Sequence, residues 1–104
     1  MMKVIVQKAA ARQISRVYTY GEQHFGKRAA EKTHARIVEA LHLLAANPRL
    51  GVEEPLLAGR KRQYRSLVVH KLFKLVYYVK DNTLYIAALW DTRREPAVQA
   101  GSVK

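Results

Sequence analysis

The sequence predicts an α+β fold in which a helical hairpin packs on one face of a twisted, mainly antiparallel four-stranded sheet, in the order β-α-α-β-β-β. Two observations predict it: apolar residues recur every three to four positions in the N-terminal half, as in helices, and alternate in the C-terminal half, as in strands. With 104 residues, the chain is long enough for one domain with an ordinary core. We predict that residues 1–96 form this domain.

The N-terminal half predicts one strand and two helices. Residues 3–7 form a short segment in which three consecutive side chains are β-branched, which favours a strand. Helices are predicted at about residues 9–25 and 27–46. Gly26 closes the first helix, and Asn47-Pro48 ends the second because proline cannot continue a helix. The apolar stripes are Ile14, Val17, Tyr18, Gly21 and Phe25 in the first helix, and Ala30, His34, Ile37, Leu41, Leu44 and Ala45 in the second.

Three strands are predicted in the C-terminal half, at about residues 64–69, 73–79 and 84–90. The pair Asp81-Asn82 favours a tight turn between the last two strands, and His70-Lys71 leaves room for only a short connection between the first two. The middle strand is apolar on both faces, so we expect it to lie between its neighbours.

Two segments lie outside these elements. Residues 47–63 form a long irregular connection that contains proline and glycine and ends in the basic cluster Arg60-Lys61-Arg62. Loops of this length are usually functional or mobile. Residues 97–104 are small and polar, and we predict that they form a flexible C-terminal tail.

Charge is unevenly distributed along the chain. Nineteen Lys and Arg residues against eight Asp and Glu give a formal net charge of +11, which favours a polyanionic or acidic partner. Between Pro55 and Lys80 there is no carboxylate. The absence of cysteine excludes a disulfide scaffold, and no apolar run resembles a signal peptide or a membrane span, so we expect a cytoplasmic protein without a membrane partner. The cations of the carboxylate-free stretch are Arg60, Lys61, Arg62, Arg65, Lys71, Lys74 and Lys80.

Conventional catalytic and metal sites are not predicted. The four histidines, His24, His34, His42 and His70, form no i, i+4 pair and have no nearby carboxylate cluster. The chain contains no Gly-rich phosphate loop, and no Ser/His/Asp arrangement can be built from it. We therefore predict neither a metal nor a cofactor.

The remaining candidates are cations. Arg65, Lys74 and either Arg93 or Arg94 are expected to converge on one exposed face of the sheet, and Arg60, Lys61 and Arg62 extend this predicted polyanion- or target-binding surface. Two interpretations stay open. The surface recognises a partner without chemistry, or its cations stabilise the phosphorane of a metal-free RNA cleavage, which also needs a base and an acid. His70, the histidine nearest this sheet, falls at a hairpin tip, a poor place for a buried acid.

Three features of the chain together resemble the RelE/ParE superfamily of bacterial type II toxins. They are the element order, the segment Tyr64-Arg65 followed by the strand at 73–79, and the ending Trp90-Asp91-Thr92-Arg93-Arg94-Glu95-Pro96. The first half is similar to the ParE branch in particular. Its matching residues are Ile14, Tyr18 or Tyr20, Phe25-Gly26, Leu44-Ala45, Pro48 and Gly51.

The resemblance implies the toxin of a toxin–antitoxin (plasmid stabilisation) module, neutralised by a cognate antitoxin. ParE-type members poison DNA gyrase, whereas RelE-type members cleave mRNA on the ribosome. Arg65, Lys74 and Arg94 match positions where the RelE branch keeps functional Lys or Arg. Leu67 stands in place of a further lysine, and residues 97–104 contain neither the Tyr of that branch nor a His.

The incomplete acid–base set favours a non-enzymatic, ParE-like gyrase poison. The alternatives are a RelE-like ribosome-dependent mRNA endonuclease, in which Arg65, Lys74 and Arg94 would be the catalytic cations, and a non-toxic basic nucleic-acid-binding module. The expected partners are accordingly an antitoxin and DNA gyrase, or the ribosome and mRNA. The resemblance is compatible with a homodimer or with a toxin–antitoxin heterotetramer.

Overall fold

The structure is a computed structural model that describes residues 1–70, 72–94 and 96–103. It confirms the α+β class and the helical hairpin on a mainly antiparallel sheet. The described part contains five strands, not four, because two residues of the long connection pair with the next strand. The elements are β1 (Lys3–Val6), α1 (Lys8–Phe25), α2 (Lys27–Ala46), β2 (Val52–Glu53), a 3₁₀ turn (Pro55–Leu57), β3 (Arg65–Val69), β4 (Phe73–Lys80), β5 (Thr83–Asp91) and α3 (Pro96–Ser102).

The sheet has the strand order β1-β5-β4-β3-β2, so β4 lies at its centre as predicted. β1 is parallel to β5, and the other pairs are antiparallel. The turn between β4 and β5 places Asp81 and Asn82 at φ 50° and 61°, the left-handed region that this residue pair tolerates. The predicted tight turn is therefore confirmed.

The helical hairpin covers one face of the sheet. Gly26, at φ 93°, lies between α1 and α2 and reverses the chain. Leu44 of α2 and Leu75, Tyr77 and Ile86 of the sheet are fully buried in the core between the two layers. Phe25, which we predicted on the apolar stripe of α1, is instead 71% exposed because it ends the helix beyond the edge of the sheet.

The other face of the sheet is also covered, which the sequence did not lead us to expect. Leu57 of the 3₁₀ turn and Val103, next to α3, pack with Trp90 and Val76 in a second core. Neighbouring residues of β4 face the two cores in turn because side chains alternate along a strand. A register shift between Val76 and Tyr77 leaves Ala87 of β5 without a partner, so that Ala87 and Ala88 both face the second core.

The predicted flexible tail is a helix for most of its length. Pro96, which we interpreted as the end of the domain, is the first residue of α3, where a proline is well tolerated because its missing N–H has no partner in a helix. Gln99 is buried and donates a hydrogen bond to the carbonyl of Asp91. Lys104 lies outside the described residues.

None of the described helices is both long and apolar enough to cross a membrane.

Candidate functional site

The structure separates the three tentative catalytic cations. Arg65 pairs across β3 and β4 with Tyr77, whereas Val68, three residues further along β3, pairs with Lys74. Since side chains alternate along a strand, Arg65 and Lys74 lie on opposite faces of the sheet. The expected convergence of Arg65, Lys74 and a terminal arginine on one exposed face is therefore wrong.

Lys74 is held by a buried carboxylate on the face opposite the helical hairpin. Its Nζ lies 2.5 Å from Oε1 of Glu54 and 5.2 Å from the centre of the Trp90 ring. The Glu54 side chain has no solvent exposure, whereas that of Lys74 keeps 19%. Glu54 also accepts hydrogen bonds from Ser66 Oγ and from the Leu56 N–H, both at 2.9 Å. The charge of Lys74 is thus compensated within the protein.

The surroundings of Glu54 stabilise its ionised form. Burial raises its pKa, but the hydrogen bonds from Lys74, the Leu56 N–H and Ser66 outweigh burial and leave the pKa below the ordinary 4.5. A carboxyl with a depressed pKa in the folded state stabilises the protein above its unfolded-state pKa, and this contribution is lost as the pH falls through the folded-state pKa.

This sign gives a testable pH dependence. We expect the difference in free energy of unfolding between the wild type and Glu54→Gln to be constant from about pH 7 to 5 and to narrow below about pH 4.5, because glutamine does not titrate. Urea unfolding at several pH values measures it. A difference that stays constant down to pH 3 would contradict the assigned ion pair.

Arg65 has a local structural role on the helix-covered side. Its Nη1 donates a hydrogen bond of 2.8 Å to the carbonyl of Gly51. The buried Tyr77 hydroxyl accepts from the Gly51 N–H at 3.0 Å and donates to the Pro48 carbonyl at 2.7 Å. A Cβ at Gly51 would lie 2.6 Å from Tyr77 Oη, so only glycine fits. These contacts fasten the start of the long connection to the sheet.

The terminal arginines differ from each other. Arg93 forms a two-pronged ion pair with Asp91, at 3.0 and 2.8 Å, and its hydrogen bonds outweigh burial to lower the pKa of Asp91. Arg94 lines a groove of about 300 Å³ with Arg16, between α1, α3 and the C-terminal end of β5, beyond the residues that pair with β1. Trp90 lines this groove together with Arg94, and its ring also lies next to Lys74. Arg94 and Lys74 are therefore both close to Trp90.

The basic cluster lines a separate groove of about 500 Å³, which we call the loop groove. Its lining residues are Arg60, Lys61, Arg62, Tyr64 and Lys80. The Arg62 guanidinium lies 4.5 Å from the centre of the Tyr78 ring, and Tyr78 stacks on Tyr85 at 5.0 Å. Arg60 is used structurally, because its guanidinium donates to the carbonyls of Ala100 and Val103 at the end of α3. In the described part of the chain, Lys61, Arg62 and Lys80 form no ion pair.

An exposed aromatic cluster lies at the tip of the helical hairpin, and we call it the tip cluster. It consists of Tyr20, His24 and Phe25, with ring centres 4.1 Å apart for Tyr20 and His24 and 6.3 Å apart for Tyr20 and Phe25. Tyr20 is 56% exposed and Phe25 is 71% exposed. The pKa of Arg93 is raised by Asp91 and, in smaller part, by the Tyr20 phenol, so Arg93 lies within electrostatic reach of the tip cluster.

Sequence reasoning missed Glu54, Lys80 and the tip cluster as site residues. Glu54 is the last carboxylate before the stretch that has none, a signal that could have marked it as the partner of a cation. The apolar stripe predicted for α1 includes Tyr18 and Phe25, and only the tertiary fold shows that Phe25 is exposed. No group of three His, Asp or Glu side chains in residues 1–70, 72–94 and 96–103 is arranged to hold a metal ion.

Comparisons with known proteins agree with this architecture. One solved structure, described as the chromosomal ParDE TA system from P. aeruginosa, matches with a TM-score of 0.74 and 21% identity over 89% of this chain and 98% of that chain. Another, the YoeB dimer from Staphylococcus aureus, matches with a TM-score of 0.57 and 26% identity over 84% of this chain and 92% of that chain. No curated protein sequence matches significantly.

The family comparison covers most of the chain. The model of the family described as the ParE toxin of the type II toxin–antitoxin system, parDE, matches residues 4–96. This range includes the helical hairpin, all of the sheet except Lys3, and both terminal arginines, and it ends where α3 begins. The chain therefore belongs to the ParE family of toxins of type II toxin–antitoxin systems, in the RelE/ParE superfamily.

Proposed function

We propose that this toxin acts by binding and poisoning DNA gyrase, without chemistry of its own, and that a cognate antitoxin neutralises it. The observation that carries the proposal is the dispersal of the three cations a nuclease would need. Arg65 and Lys74 lie on opposite faces of the sheet, and Lys74 is compensated by Glu54. Membership in the ParE family supports the same conclusion.

The tip cluster supports a protein target. Aromatic side chains next to an arginine are the residues that most often dominate protein–protein binding energy. Two of the three aromatic residues, Tyr20 and Phe25, are more than half exposed, and Arg93 lies within electrostatic reach of Tyr20. Exposed apolar surface of this kind is costly for a soluble protein unless a partner covers it. We assign the tip cluster to the contact with gyrase.

The outer edge of the sheet fits an antitoxin segment. β2 pairs with β3 only at Arg65 and Ser66, so the outer side of Leu67–Val69 has no strand beside it among the described residues. Val68 and Val52 are 64% and 68% exposed along this edge. An extended antitoxin segment would pair with the open backbone and cover these side chains, and acidic residues in it would match the net charge of +11.

Expression experiments test the proposal. Induced expression without the antitoxin should arrest growth, cause gyrase-dependent DNA breaks and induce the SOS response. Cuts in mRNA at ribosome-defined positions would instead support a RelE-like nuclease, the candidate that the similarity to the YoeB dimer favours. Unimpaired growth would support a non-toxic nucleic-acid-binding module.

Removal of Lys74 and Arg94, two of the three cations that a nuclease mechanism would use, should leave toxicity unchanged. Lys74→Ala alone would leave the buried Glu54 carboxylate without its cation and so destabilise the fold. The informative variant therefore combines Glu54→Gln, Lys74→Met and Arg94→Ala. The single amide oxygen of glutamine can accept from the Leu56 N–H, and its amide NH2 can then donate to Ser66 Oγ, which reverses the direction of that hydrogen bond. We expect the growth arrest per unit of folded toxin to equal that of the wild type. A loss of toxicity with an unchanged melting temperature would favour the nuclease.

A further inference from the structure

We infer that the loop groove binds backbone phosphates of the DNA that gyrase holds, so that the toxin contacts both the enzyme and its DNA. This inference rests on the proposed function and adds a second ligand to it. It is carried by three cations, Lys61, Arg62 and Lys80, that face one groove and have no ion-pair partner in the described part of the chain.

The groove is held in shape before any ligand arrives. Arg60 anchors its loop to the end of α3, with a hydrogen bond of 2.8 Å to the Ala100 carbonyl, and the Arg60 N–H donates to the Leu57 carbonyl at 3.2 Å. The other end is attached through the Glu54 N–H, which donates to the Tyr64 carbonyl at 3.0 Å. A fixed loop loses little conformational entropy on binding.

Two adjacent strands position the cations. Arg62 precedes β3 and Lys80 ends β4, and these strands are neighbours in the sheet. The Arg62 guanidinium lies over the Tyr78 ring, 4.5 Å from its centre, so one face of the guanidinium contacts the ring. Its N–H donors in the plane stay available for a phosphate oxygen.

The lining favours a nucleic-acid backbone over an acidic peptide. Of the five described residues that line the groove, four are cations, one is a tyrosine, and none is aliphatic. A peptide segment gains most of its affinity from buried apolar anchors, whereas the apolar surface of this groove comes from the stems of Lys and Arg side chains and from one tyrosine. Glu53 and Glu54 line a smaller hollow that shares four lining residues with the loop groove, but among the described residues no carboxylate lines the loop groove itself. A volume of about 500 Å³ is ample for phosphate and sugar.

A matched pair of variants tests the inference. The groove variant carries Lys61→Gln, Arg62→Gln and Lys80→Gln. The control carries Lys27→Gln, Lys32→Gln and Arg36→Gln, which remove the same charge from the exposed side of α2. Binding of a 20-base-pair duplex is followed by fluorescence anisotropy over a salt titration. We expect the slope of log K against log salt to fall by about 2.7 in the groove variant, about 0.9 for each lost phosphate contact, and to stay unchanged in the control.

Further measurements separate this inference from the proposed function. The groove variant should bind DNA-free gyrase like the wild type and should trap fewer cleaved gyrase–DNA complexes. Equal slopes in the two variants, or loss of binding to a polyglutamate peptide while duplex binding is kept, would overturn the inference and leave gyrase poisoning intact. A wild type that binds the duplex through the groove but never traps gyrase would overturn the proposed function alone.

Discussion

Replacing Glu54 by alanine is expected to lower the free energy of unfolding by about 3 kcal/mol. Removing one partner of a buried ion pair typically costs about 3–5 kcal/mol because it leaves an uncompensated charge. The low end applies here because the Lys74 side chain is 19% exposed and can reach water. The variant also removes the acceptor of Ser66 Oγ and of the Leu56 N–H. Denaturant unfolding at neutral pH measures the loss.

Glu53→Ala provides the matched control. Glu53 is adjacent, exposed and without an ion-pair partner in the described part of the chain, so its removal should change the free energy of unfolding by less than about 0.5 kcal/mol. The double variant Glu54→Gln, Lys74→Met should recover most of the lost stability, because it leaves no buried charge. Equal losses in Glu54→Ala and Glu53→Ala would show that the pair contributes nothing.

This ion pair bears on function as well as on stability. A lysine that is to bind a substrate phosphate must first leave Glu54, which gives up a short ion pair and exposes a carboxylate that is otherwise fully buried. Glu54 also accepts two further hydrogen bonds, so it is held in place when Lys74 leaves. The same contacts that stabilise the second core therefore oppose a catalytic role for Lys74.

The helices were predicted closely from the sequence because their limits are set by local chemistry. Gly26 can adopt the positive φ that separates α1 from α2, and Asn47-Pro48 cannot continue α2. α2 spans the residues that the pattern indicated, and α1 begins one residue before the predicted start. The fold class, the central position of β4 and the tight turn at Asp81-Asn82 follow from equally local signals.

The face that Arg65 occupies could not be predicted, because it depends on the length of one turn. Three residues separate the paired Val69 and Phe73, and this register places Lys74 opposite Val68. A connection one residue shorter would pair Lys74 with Leu67 and place it on the same face as Arg65. A shift of one residue in register moves every side chain to the other face.

Contacts between distant parts of the chain could not be predicted from the sequence either. Glu54 and Lys74 are 20 residues apart, and the bond from Arg60 to Ala100 spans 40 residues. Neither leaves a periodic signal in the sequence. Without them, residues 97–104 look like a small polar tail, and the cations of the sheet look free to bind a ligand. Four of the predicted binding residues in fact donate to groups of the protein itself: Arg60, Arg65, Lys74 and Arg93.

Removing the aromatic rings of the tip cluster should abolish gyrase poisoning. For Tyr20→Ala combined with Phe25→Ala we expect binding to purified gyrase to weaken by about 30- to 1,000-fold, as is usual when truncation removes a binding hot spot worth about 2–4 kcal/mol. The reason is that both rings are more than half exposed, so a partner can bury them with little rearrangement. Surface plasmon resonance and a gyrase-dependent DNA cleavage assay measure the effect.

A second apolar pair separates a specific contact from a general loss of apolar surface. Leu50→Ala with Val52→Ala truncates side chains that are 42% and 68% exposed at the other end of the molecule, along the edge proposed for the antitoxin. This variant should bind gyrase like the wild type and should bind the antitoxin more weakly. Both double variants change exposed residues, so their melting temperatures should remain close to that of the wild type. If the tip variant keeps full gyrase affinity, the target contact must lie elsewhere, and the groove beside Arg94 becomes the next candidate because Arg16 and Arg94 both line it next to the end of β5.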